Sequence, residues 1–114
     1  MKRLLGLCLV ITAGIAATGS SANEEAVAAN PEEIVANVCA ACHGQDGNAM
    51  ITGAPKLGGQ RADYLTKALG DYKSGARNNP IMAAFAAGLS KEDMKALGVY
   101  FSKQASDLYT PKLR

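Results

Sequence analysis

Five consecutive residues constrain this 114-residue chain more than any other feature, namely Cys39-Ala40-Ala41-Cys42-His43. Two thiols stand three positions apart and an imidazole follows directly. This spacing is typical of c-type haem attachment, in which each thiol forms a thioether with one vinyl group of the porphyrin. The histidine is then held beneath the iron as its first axial ligand. The pentapeptide therefore predicts one covalent haem c, attached through Cys39 and Cys42, with His43 as a metal ligand.

Other interpretations of the pentapeptide need partners that the chain does not supply. The sequence contains one histidine and three cysteines, the third being Cys8. A structural zinc site requires four Cys or His ligands, and only three are clustered here. A thioredoxin-like dithiol expects a βαβ setting and gives His43 no role. A metal site, a redox dithiol and a structural disulfide stay open as alternatives that the sequence favours less than haem.

The first 22 residues are predicted to be a signal peptide. They begin with the basic pair Lys2-Arg3, continue with a mostly apolar stretch over residues 4–17, and end in small residues at 20–22. An uncleaved anchor is disfavoured because the apolar stretch is shorter than the about 20 residues that cross a bilayer as a helix. We therefore expect cleavage after Ala22, export to a bacterial periplasm and no stable membrane anchor in the mature form.

Removing the leader balances the charges of the chain. The full sequence has 12 basic and 10 acidic residues, so the loss of Lys2 and Arg3 leaves 10 of each. A formal net charge of zero disfavours nucleic-acid binding, which requires a strongly basic patch. Residues 23–30 are expected to be a flexible lead-in. Residues 31–114 are expected to form one small domain with a modest core.

The domain is predicted to begin with a helix that carries the thiols at its C-terminal end. Asn30 is suited to the N-cap, Pro31 to the first helical position, and Glu33 follows the cap by three residues. These signals place the start of the helix, which is expected to run into Cys39.

A loop rich in glycine and proline, residues 44–60, separates this helix from two others. A second helix is predicted over residues 61–74, with Gly75 as its stop. A third begins at Ser90, with Asp93 completing a variant of the capping box. The apolar stripe of that helix comprises Met94, Leu97 and Phe101. No strand-like alternation of useful length occurs, so the domain is predicted to be all-α.

A second axial ligand within the chain is expected to be a methionine, because His43 is the only histidine. Met94 lies on a helical apolar stripe and is expected in the core. Met50 follows the histidine by only seven residues, which makes the opposite face of the porphyrin hard to reach. Met82 lies on a separate segment, and Pro80 disfavours helix at the residue before it, so this stretch is expected to cross the haem as a loop. We predict Met82 as the sixth ligand, with a plain apolar contact as the alternative.

The order of these features resembles the class I c-type cytochromes, small soluble carriers of bacterial and mitochondrial respiration. The resemblance spans almost the whole chain after the leader and is greatest to one domain of the periplasmic bacterial members, some of which carry two such domains. Beyond the pentapeptide it rests on Gly53-Ala54-Pro55-Lys56-Leu57, Tyr72-Lys73-Ser74-Gly75-Ala76-Arg77, Pro80-Ile81-Met82 and Leu97-Gly98-Val99-Tyr100-Phe101.

The resemblance implies a cytochrome c fold of three to five helices packed around one haem. It implies that the first and last helices cross near the haem, where Gly98 would permit a close approach. It also implies that the Pro55 carbonyl accepts a hydrogen bond from the proximal His43, which orients the ligand. The chain lacks tryptophan and the lysine-rich face of the mitochondrial members, so a ring of lysines is not implied as its docking surface.

The function implied by the resemblance is one-electron transfer without catalysis, by a carrier expected to be a monomer. Electrons would come from a membrane quinol-oxidising complex or a periplasmic dehydrogenase, and would leave to a terminal oxidase or reductase. Two alternatives stay open. An open-site haem enzyme or gas sensor, peroxidase-like in chemistry, requires that Met82 does not bind the iron. A fixed electron-transfer subunit of a larger oxidoreductase would use the same site.

Overall fold

The computed structural model describes residues 29–108 and residue 111. The predicted signal peptide, its cleavage after Ala22 and nearly all of the 23–30 lead-in lie outside the described residues. Among the described residues, no helix is long and apolar enough to cross a membrane.

The described part of the chain forms four helices and no strand, which confirms the all-α prediction. Helix α1 covers residues 31–43. Helix α1 has three consecutive segments: Pro31–Ile34 is α-helical, Val35–Cys39 is π-helical and Ala40–His43 is α-helical again. The remaining helices are α2 (Ala62–Ser74), α3 (Pro80–Ala86) and α4 (Lys91–Ser102).

Helix α1 begins where its cap predicts but ends later. The side chain of Asn30 accepts a hydrogen bond from the backbone N–H of Glu32 at 3.1 Å, so the predicted N-cap is confirmed. The sequence predicts a helix that runs into Cys39, whereas the structure extends it to His43, because the two alanines between the thiols favour helix. Gly44, with φ of 78°, ends the helix.

The capping predictions for α2 and α4 are confirmed. Helix α2 ends at Gly75, which adopts the left-handed conformation with φ of 80°. Helix α4 begins with a reciprocal capping box. Ser90 Oγ accepts from the Asp93 N–H at 3.0 Å, and Asp93 Oδ2 accepts from the Ser90 N–H at 2.9 Å. The Ser90 hydroxyl also donates to Asp93 Oδ2 at 2.7 Å. This bond, followed by the one from the Ser90 N–H, holds the pKa of Asp93 below its ordinary value.

The prediction of a loop around Met82 is wrong, because this residue lies in the first turn of α3. Asn79 is extended, with φ of −158°, as its position before a proline requires. Its side chain accepts hydrogen bonds from the N–H groups of Ile81 and Met82 at 3.0 and 3.1 Å. Pro80 then occupies the first helical position, where its missing N–H costs nothing.

The core lies where α1, α2 and α4 pack together, and it includes Val35, Leu65, Leu97 and Phe101. Gly98 permits a close approach, but to α2 instead of the first helix. A Cβ atom at Gly98 would lie 2.6 Å from the Ala62 carbonyl oxygen and 2.6 Å from Thr66 Oγ1. Helix α1 also packs on α4, so α4 contacts both α1 and α2.

Candidate haem site

A cavity of about 420 Å³ is bordered by all four helices, the 44–60 loop and the segment between α2 and α3. Helix α1 contributes Cys39, Cys42 and His43 to its lining, and α3 contributes Met82. The other lining side chains are mostly apolar and include Val38, Ile51, Leu57, Leu65, Leu69 and Phe85. The fold therefore brings the two thiols, the imidazole and one thioether to a single apolar cavity.

His43 is buried at the end of α1, with 7% of its surface exposed. Its Nδ1 lies 2.9 Å from the carbonyl oxygen of Pro55. A carbonyl oxygen only accepts, so Nδ1 must carry the proton, and Nε2 is left as the nitrogen that can bind a metal. Two backbone hydrogen bonds join the start of the 44–60 loop to the end of α1. The Ala49 N–H donates to the His43 carbonyl at 2.7 Å, and the Met50 N–H donates to the Cys42 carbonyl at 2.9 Å.

The two thiols are free and partly buried. Burial raises the pKa of the Cys39 thiol above its ordinary value, because the thiolate would lose its hydration. Both cysteines lie on the cavity wall, three positions apart on α1.

The three methionines of the described chain occupy different environments. Met82 is half-buried and lines the cavity. Met50 is 72% exposed and Met94 is 5% exposed in the core, and neither lines the cavity. Among the described residues, Met82 is therefore the methionine that shares a cavity with His43.

Comparison with known proteins assigns the family. The model of the family described as cytochrome c oxidase, cbb3-type, subunit III matches residues 26–101. The chain belongs to this family of class I c-type cytochromes. Its cofactor is accordingly one haem c, bound covalently through Cys39 and Cys42.

Named relatives differ in how much of their length this cytochrome spans. Cytochrome c4 of Pseudomonas aeruginosa is 36% identical over 104 residues, which are 91% of this chain and 49% of the relative. Cytochrome c-553 of Helicobacter pylori is 41% identical over 87 residues, 75% of this chain and 91% of the relative. The crystal structure of reduced recombinant cytochrome c4 from Pseudomonas stutzeri superposes with a TM-score of 0.62 at 34% identity, covering 66% of this chain and 46% of that one. The chain thus spans about half the length of the cytochromes c4 that it matches.

Arg77 is the charged side chain that sequence reasoning did not select for this site. It is the only Lys, Arg, Asp or Glu among the described residues that line the cavity. Its guanidinium donates to Tyr64 Oη at 3.1 Å and stands 5.0 Å from the centroid of the Tyr72 ring. The hydrogen bond to Tyr64, with the two tyrosines nearby, raises the pKa of Arg77. The one sequence signal for Arg77 is its place at the end of the 72–77 segment, which carries part of the family resemblance.

The cavity residues of the cytochrome suit a haem c. Two thiols can form thioethers, a buried imidazole nitrogen and a thioether sulfur can bind iron, and the apolar lining suits the porphyrin. The single cation, Arg77, offers a partner for the carboxylates that a haem carries on one edge. The chemistry of the donor set therefore fits the cofactor of the family.

Proposed function

We propose that this cytochrome is a one-electron carrier of the bacterial periplasm in which His43 and Met82 are the two axial ligands of the haem iron. The observation that carries the proposal is the shared cavity, where Met82 is the methionine that lines the same walls as His43 and the attachment cysteines. The bound haem supplies a ferric/ferrous couple, whose potential is raised by Met/His ligation.

The residues of the chain have three tasks in such a carrier. Pro55 orients His43 through the 2.9 Å hydrogen bond to Nδ1, which fixes the ring tautomer. The apolar lining excludes water and disfavours the more highly charged ferric state. The neutral thioether of Met82 completes the ligand set, so that no position is left open for a substrate. The protein then transfers electrons without catalysing a reaction of its own.

The partners and location follow from this role. We propose that the signal peptide is removed after Ala22 and that the mature chain, monomeric and without a membrane anchor, works in the periplasm. Its donors are a membrane quinol-oxidising complex or a periplasmic dehydrogenase, and its acceptors are a terminal oxidase or reductase. The even balance of basic and acidic residues in the mature chain gives no reason to expect a nucleic acid as partner.

The visible spectrum of purified Met82→Ala tests the ligand assignment. We expect a low-spin wild-type protein with the weak far-red band of methionine bound to ferric iron. The band should be lost in Met82→Ala, because that variant removes the thioether. Met50→Ala removes an exposed methionine outside the cavity and should keep it. A high-spin ferric wild type that changes at once with cyanide or carbon monoxide would instead establish the open-site haem enzyme or sensor.

A second candidate is a fixed subunit of a larger oxidoreductase, which the description of the matching family as an oxidase subunit favours. The same His43 and Met82 ligands would serve this role. Size-exclusion chromatography of the native periplasmic and membrane extracts separates the two candidates. A free carrier elutes at the size of the single chain, whereas a subunit co-elutes with an oxidoreductase and its activity.

A further inference from the structure

The Pro55 carbonyl is held at His43 by a loop that closes on itself. The N–H groups of Leu57 and Gly58 donate to the Gly47 carbonyl at 2.6 and 3.0 Å. These bonds join the two ends of the segment that contains Pro55. The approach is tight, since a Cβ atom on Gly47 would lie 2.6 Å from the Gly58 nitrogen. The position of the Pro55 oxygen therefore depends on whether this closure holds.

Residues 105–107, which we call the C-terminal brace, contact both ends of the closed segment. Asn48 Nδ2 donates to the Ala105 carbonyl at 2.9 Å and also to Asp46 Oδ2 at 2.8 Å. Lys56 Nζ donates to the two carboxylate oxygens of Asp107 at 2.6 and 2.8 Å. Asn48 directly follows Gly47, and Lys56 directly follows Pro55 in sequence, so the brace anchors the loop on each side of the carbonyl.

The brace also packs against the loop. A Cβ atom on Gly59 would lie 3.2 Å, and one on Gly58 3.5 Å, from Ser106 Cβ. The Gly59 N–H donates at 2.9 Å to the carbonyl of Phe101, which lies at the end of α4, four residues before the brace. None of residues 105–107 lines the cavity, so the brace can act on the cofactor only through the residues that it contacts, which are those of the loop.

We propose that the C-terminal brace tunes the proximal ligand, with Asn48 and Lys56 as positioning residues that keep the Pro55 carbonyl on His43 Nδ1. The proposal rests on the proposed function, in which His43 binds the iron. A strong Nδ1–H···O bond makes the ring more basic and therefore favours the ferric state. Loosening the loop should weaken this bond, raise the reduction potential and expose the Nδ1 proton to solvent.

The test uses the haem-bound protein and two independent variants, Asn48→Ala and Lys56→Gln, so that one variant suffices if the other does not fold. The first readout is the exchange rate of the His43 Nδ1 proton, measured by NMR of the ferrous protein. The loss of one net hydrogen bond corresponds to about a fivefold faster exchange. The second readout is the reduction potential, which should rise.

Matched controls separate this role from general destabilisation. Asn37→Ala removes an exposed asparagine on α1, and Lys67→Gln removes the exposed ion pair with Asp71 on α2, and neither residue contacts the brace. Both controls should keep the wild-type exchange rate and potential. Lys56→Arg, which preserves the cation opposite Asp107, should restore wild-type values.

Two results would overturn the proposal, and they are distinguishable. If the wild type has the spectrum of His/Met ligation but both brace variants exchange the Nδ1 proton at the wild-type rate, the brace does not position His43. If instead the wild-type spectrum shows that His43 is not a ligand, the proposed function fails and the inference fails with it.

Discussion

Gly98 shows how one missing side chain sets the distance between two helices. Its α-carbon faces the first turn of α2, where an added Cβ would lie 2.6 Å from both the Ala62 carbonyl oxygen and Thr66 Oγ1. Neither neighbour can retreat easily, because one is backbone and Thr66 Oγ1 itself donates to that carbonyl at 2.8 Å. We expect Gly98→Ala to lower the free energy of unfolding by about 1–3 kcal/mol through overpacking, as measured by urea denaturation of the haem-bound protein.

Gly70 provides the matched control for this prediction. It lies inside α2, and a Cβ there would meet nothing within 4 Å. Gly70→Ala should therefore raise the free energy of unfolding by up to about 1 kcal/mol, because alanine loses less backbone entropy in a helix. If both glycine variants shift stability in the same direction, the close contact between α2 and α4 is not what requires Gly98.

Single residues of the site differ in how far the sequence identifies them. Cys39, Cys42 and His43 are recognisable because the chemistry demands their spacing. Met82 can be chosen by elimination among few methionines, and the cavity lining is compatible with that choice. Arg77 cannot be chosen in this way, since one exposed arginine among 12 basic residues carries no local signal. Its part in the cavity arises only when α2 and the segment after it fold together.

At the scale of elements, two helices begin with the same Asn-Pro pair, and only one was predictable. Asn30 and Asn79 both cap a helix whose first residue is proline. Helix α1 has the additional signals of Glu33 and a long apolar face. Helix α3 has only seven residues, too few for a periodic pattern to distinguish it from a loop. The π-helical turn in α1 has no sequence signal that we can identify.

The Asn79 cap is expected to matter for the site as well as for stability. Asn79→Ala should lower the free energy of unfolding by about 1 kcal/mol, the usual cost of an N-cap. Because Asn79 Oδ1 also accepts from the Met82 N–H at 3.1 Å, we expect the far-red methionine band to weaken. Asn30→Ala removes the equivalent cap of α1 and should have a similar cost while it leaves the band unchanged. Equal bands in the two variants would contradict a coupling between the α3 cap and Met82.

At the scale of the whole molecule, the described residues form a small core. In the described part of the chain, the buried apolar residues are Val35, Leu65, Ala86, Met94, Leu97 and Phe101. Five large side chains that line the cavity are more than a third exposed in the protein alone, namely Val38, Ile51, Tyr64, Ile81 and Phe85. Since burial of apolar surface is the main favourable contribution to folding, much of that contribution must come from contacts with the cofactor.

This arrangement predicts that haem attachment and folding are coupled. The double variant Cys39→Ala/Cys42→Ala, purified free of haem, should lose the single cooperative thermal transition expected of the haem-bound protein, because the cavity walls then have no apolar partner. Circular dichroism at 222 nm and the fluorescence of an apolar dye measure the two consequences, with dye binding expected only for the haem-free chain. A haem-free variant that unfolds cooperatively at the wild-type midpoint would show that α1, α2 and α4 form a sufficient core by themselves.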